Sequence, residues 1–85
     1  MSIAFIRYKR KFRNNLRPVF AMLQSKKSKM RVFEWESLVK NTIHNVSLNP
    51  TEYLGPDLPA ETLIADVLAE IEIEFLKEAR SFSRE

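Results

Sequence analysis

The stretch PAETLIADVLAEIEIEFLKEARSF, residues 59–82, decides the fold. Pro59 suits a first helical position, with Asp57 or Leu58 as the cap, and Glu61 falls in the first turn, where a carboxylate meets the positive end of the helix dipole. Leu63 through Phe82 then continue for about five turns without a Gly or Pro. Ile64, Leu68, Ile71, Phe75 and Phe82 form one apolar seam, and Ala65, Ala69, Ile73 and Leu76 form a neighbouring one. That surface is wider than a single packing stripe requires. A central place in a bundle accounts for it and is the favoured expectation. A homodimer that buries the second seam, Ile73 and Leu76 above all, is the alternative.

Helical spacing also fills the residues upstream. Phe5, Tyr8, Phe12, Leu16, Val19 and Leu23 recur every three or four positions. Pro18 interrupts the stripe but is tolerated in a first turn, so Asn15 as a cap predicts one helix over 3–14 and a second over 16–25. Ile3, Phe5 and Ala4, Ile6, Tyr8 also alternate as a strand would, which leaves an α+β fold with a strand at 2–12 as the competing expectation. QSKKSK, residues 24–29, reads as a loop. Val32, Trp35, Leu38, Val39, Ile43 and Val46 predict a third helix over 30–46 with Ser28 as its cap. Asn49-Pro50-Thr51-Glu52 has the order of a capping box, and Gly55-Pro56 stops that piece within two turns. The expected fold is therefore all-α: one domain over 1–85, a small bundle of three to four helices with a long C-terminal helix.

Composition narrows the chemistry. At 85 residues, 45% hydrophobic and 29% charged, the chain suits one small globular core. With no Cys there is no disulfide framework, thiolate zinc site or thiol nucleophile, which fits a reducing, cytoplasmic setting. A single Gly excludes Gly-rich phosphate loops. His44 is the only histidine, sits near the end of the third helix, and reads as a surface residue. No Glu-x-x-His pair of the di-iron type exists, so neither a metal nor a cofactor is expected, nor an enzyme.

Charge is the sharpest feature. Residues 1–31 carry ten cations and no acid, whereas residues 32–85 carry four cations and all eleven acids. Asymmetry of this kind points to nucleic acid, an anionic surface or a charged protein. Arg7, Lys9, Arg10, Lys11, Arg13 and Arg17, joined by Lys26, Lys27, Lys29 and Arg31, are the candidate nucleic-acid-binding residues, because clustered cations displace the counterions condensed on phosphates. The interleaved Phe5, Tyr8 and Phe12 share a face with Leu16 and read as core rather than as base-stacking platforms. The same polybasic start, with Ile3, Ala4, Phe5 and Ile6, could instead lie on an anionic membrane, and its acid-free composition resembles a mitochondrial presequence. The apolar runs at 3–6 and 19–23 are too short for a membrane span.

Asp66, Glu70, Glu74 and Glu78 recur every four residues as an acidic ridge. The ridge is either neutralised by the basic helices of the same bundle or left open as a docking face. Trp35, beside Phe33, reads as core, and becomes a partner anchor only if it is exposed. Two functions remain. The first is a small non-enzymatic nucleic-acid-binding protein whose acidic helix self-associates or docks a partner. The second is an adaptor or inhibitor that binds a larger protein through Phe33, Trp35, Asp66, Glu70, Ile73, Glu74 and Leu76. Cations paired against the ridge would favour the adaptor.

Overall fold

A computed structural model describes residues 3–83, with side chains described for residues 3–77. Among the described residues five helices follow in order: α1 (Ile3–Asn15), α2 (Arg17–Lys27), α3 (Val32–Leu48), α4 (Pro50–Leu54) and α5 (Glu61–Ser83). No strand occurs among the described residues, so the all-α reading holds and the N-terminal strand does not form. The 23 residues of α5 span about 35 Å at 1.5 Å per residue, close to the 38 Å long dimension of the molecule.

Helices α1 and α2 are one helix bent at a proline. The Leu16 N–H donates to Phe12 O and the Phe20 N–H to Leu16 O, both at 2.9 Å, so Leu16 links the two ladders while itself leaving helical geometry at φ −92° and ψ 6°. Pro18 has no N–H to give Asn14, and its ring crowds that carbonyl, which bends the rod. The expected Asn15 cap is not made. Leu16 takes the cap position, and Asn15 Nδ2 donates instead to Leu54 O at 2.8 Å, satisfying a carbonyl at the end of α4.

The other boundaries shift for local reasons. Helix α2 runs through Lys27, beyond the expected stop, because lysines in a last turn complement the helix dipole and Ser25 Oγ donates back to Met22 O at 2.7 Å. Ser28 therefore ends α2 rather than opening α3. Arg31 is extended and begins α3, with Glu34 Oε1 accepting from the Arg31 N–H at 3.3 Å. The Asn49 side chain makes no cap for α4 and donates to Asn45 O at 3.2 Å. Helix α5 starts at Glu61, not Pro59, with the Leu63 and Ile64 N–H groups both on Ala60 O.

Phe12, Leu16, Leu23, Trp35, Val39, Val46, Leu54 and Val67 are fully or almost fully buried, and Leu68 and Ile71 nearly so. Trp35 is the centre of this core. Its ring lies 6.1 Å from that of Phe75, which in turn lies 4.6 Å from Phe20. Its Nε1–H donates to Leu23 O at 2.9 Å. Burial of the indole therefore leaves no polar atom unsatisfied, and α2, α3 and α5 meet on one side chain. Trp35 is only 1% exposed, so it is no partner anchor.

Helix α5 packs mainly on α3 and α1, and its Phe75 reaches Phe20 of α2. Ile64, Val67, Leu68 and Ile71 are buried, whereas Ala65 and Ala69 are exposed and Ile73 is 46% exposed. Leu76, grouped with that second seam by spacing, turns partly into the core. Phe82, the last residue of the first seam, lies outside the described side chains.

Replacing Trp35 by Phe keeps an aromatic ring but orphans the bond to Leu23. We expect a loss of about 1–3 kcal/mol in urea unfolding, with helicity retained below the transition. Gly55, at φ 91° and ψ 176°, occupies a backbone region that side chains disfavour. A Cβ there would meet only Asn15 Nδ2 at 3.8 Å, so Gly55→Ala should cost about 1–3 kcal/mol from backbone strain alone, read by the same titration.

Candidate functional site

Helical geometry sorts the basic residues before any contact is considered. At about 100° per residue, Phe5, Tyr8, Phe12, Leu16 and Val19 share one side of the bent rod, and Lys9, Arg10, Arg13 and Arg17 share the adjacent side. The first set is buried or half-buried in the core. The second set lines an open cleft of about 510 Å³, together with Ile6, Asn14 and Phe20. A proline bends a helix away from its own ring. By the same geometry Lys9 and Arg13 lie on the side of the rod away from Pro18, and both line the cleft.

An acid on α5 lies next to the cleft without lining it. Glu74 of α5 forms an ion pair with Lys9 through Oε1, and its Oε2 lies 3.4 Å from Arg13 Nη1. The pairing draws α1 against α5 and reduces the positive charge at one side of the cleft. Arg10 and Arg17 are exposed and make no ion pair among the described residues, so their guanidinium groups carry the open charge. Guanidinium is suited to phosphate oxygens, which it can bind through two parallel hydrogen bonds.

The remaining cations are dispersed. Lys11 lies on the other flank of α1, where Nζ donates to Asp57 O at 2.9 Å and to Asp57 Oδ2 at 3.3 Å. Arg7 is exposed but does not line the cleft. Lys26, Lys29 and Arg31 are exposed at the far end of α2, about 15 Å along the helix from Arg17. Lys27, next to them, is half-buried with Nζ 5.2 Å from the Trp35 ring centre. The ten basic residues thus divide into a four-residue cleft, a separate cluster of four at the end of α2, and Arg7 and Lys11 apart from both, not a single surface.

The acidic ridge divides as well. Glu74 faces α1, Glu70 is half-buried, Asp66 is exposed, and Glu78 lies outside the described side chains. Phe33 is 64% exposed beside the buried Trp35. His44 is exposed, and no group of three metal-ligating side chains occurs among the described residues. Among the same residues no helix is long and apolar enough to cross a membrane.

Spacing did not single out three residues of the cleft. Ile6, Asn14 and Phe20 complete its walls, and the three-and-four spacing from Arg10 to Arg17 through Arg13 and Asn14 was the available signal for the shared face. Comparison with known protein families, with curated proteins and with solved structures finds no match for this chain. Its functional reading rests on these side chains.

The two pairs on Glu74 are partly exposed and should be worth little to the fold. We expect Glu74→Gln to change unfolding stability by less than about 1 kcal/mol, measured by urea titration at low and high salt.

Proposed function

We propose that this chain is a small non-enzymatic helical protein that works inside the cell and binds nucleic acid, with the backbone phosphates held in the cleft between α1 and α2. The observation that carries this reading is the convergence of Lys9, Arg10, Arg13 and Arg17 on one concave surface. Phosphate contacts of this kind supply affinity and orientation but no sequence choice. Phe20 supports the cleft from below and is packed on Phe75, so it serves as a wall rather than as a stacking platform for a base. Lys26, Lys29 and Arg31 offer a second point of contact further along α2.

Four phosphate contacts set the expected salt dependence. The log–log slope of affinity against salt should lie near −3.6 for a duplex and near −2.8 for a single strand, roughly 0.9 and 0.7 per phosphate. Fluorescence anisotropy of labelled DNA and RNA at several salt concentrations measures it. Reversing Arg10, Arg13 and Arg17 to Glu should abolish binding while circular dichroism shows helicity unchanged. Glu74→Gln should act oppositely, strengthening binding several-fold, because it releases Lys9 and Arg13 to the ligand. No binding by either the native chain or Glu74→Gln at low salt defeats the proposal.

A second reading is favoured by the ion pairs themselves. Lys9, Lys11 and Arg13 already meet acids within the fold. In a protein–protein adaptor or inhibitor these cations would steady the fold, and the exposed Phe33 and Asp66, with the half-buried Glu70, would face a larger partner. Charge would then steer association more than strengthen it.

A further inference from the structure

The helices α3 and α5 run in opposite directions along their shared contact, since Trp35 meets Phe75 while Ser47 lies by Ala65, and a shallow groove of about 370 Å³ is lined by these two helices alone. Its floor is apolar, with Ile43 and Leu68 at the base. Its α3 wall carries Lys40, His44 and Ser47, and its α5 wall carries Glu72, Ala69 and Ala65 at matching levels. Lys40 and Glu72 thus stand at the same end, on opposite walls. Neither makes an ion pair among the described residues.

We infer that a second copy of this chain occupies the groove in a two-fold dimer. The argument is charge complementarity under symmetry. A two-fold axis running along the groove lays α3 of one copy over α5 of the other with levels preserved. Lys40 then faces Glu72 of the partner subunit, and Glu72 faces the partner subunit's Lys40, so one arrangement satisfies four charges. A two-fold axis set across the groove would lay α3 over α3 instead and would not bring Lys40 to Glu72. The alanines opposite His44 and Ser47 let the two faces approach closely. The dimer uses a face remote from the cleft of Lys9, Arg10, Arg13 and Arg17, so it stands whether or not that cleft binds nucleic acid.

Sedimentation equilibrium of the full chain, across a wide range of protein concentration, tests it. A monomer–dimer equilibrium is expected. Lys40→Glu and Glu72→Lys should each weaken association by about 100-fold or more, since each places two like-charge pairs in the interface. The double variant K40E/E72K restores both pairs with the signs exchanged, and dimerisation should return. Ala69→Arg adds bulk at the centre of the face from an exposed position and should give a monomer with native helicity by circular dichroism. A chain that stays monomeric at all concentrations overturns the inference. So does a dimer indifferent to the single reversals, or one that the double variant fails to restore.

Discussion

The indole of Trp35 is the contact on which the rest of the bundle depends. It comes from α3, donates to a carbonyl in the last turns of α2, and packs through Phe75 of α5 toward Phe20 of α2. A bundle of short helices has few residues with which to hold three elements together, and a buried aromatic provides the largest single area for doing so. The hydrogen bond removes the one penalty that would attach to burying the ring. Its position also fixes the end of α2, and with it the arm that carries Arg17.

The basic cleft follows from a defect in a helix. A straight rod over residues 3–27 would place its cations on a convex cylinder, each pointing away from the next. Pro18 breaks the ladder at Asn14, and the adjacent core face holds α1 against α5 and α4 and α2 against α3, with Phe12, Leu16 and Leu23 buried. The result is a concave surface on which four cations converge. Glu74 tempers that charge. Like charges crowded on one wall repel, and an acid on the neighbouring helix relieves the repulsion within the folded chain. Under the proposed function a polyanion would compete with Glu74 for Lys9 and Arg13, whereas Arg10 and Arg17 make no ion pair among the described residues.

Distribution of charge over the other faces has a separate logic. Asp57 takes Lys11 on the opposite flank of α1, and Asn15 binds the end of α4 nearby, so the short α4 and the turn after it are fastened to α1 by polar contacts. These contacts join residues about 40 positions apart in sequence, as the separations of 46 and 39 show. The outer groove between α3 and α5 lacks such fastening. Lys40 and Glu72 line it without an ion pair among the described residues, and this is the basis of the proposed two-fold dimer.

The sequence by itself determined the helices. Apolar spacing, the two proline-marked starts and the Gly55-Pro56 stop are local signals, and a helix is built from bonds four residues apart, so its existence is legible without the fold. It also determined that Phe5, Tyr8 and Phe12 belong to the core, because their shared face with Leu16 follows from periodicity alone. Boundaries moved where a side chain had two possible partners, as when Asn15 took the Leu54 carbonyl instead of capping α2. Only the tertiary structure decided which cations converge and which of them Glu74 and Asp57 claim. Those outcomes depend on the bend at Pro18 and on which side of α5 meets α1, and neither is encoded in the spacing of residues along a single helix.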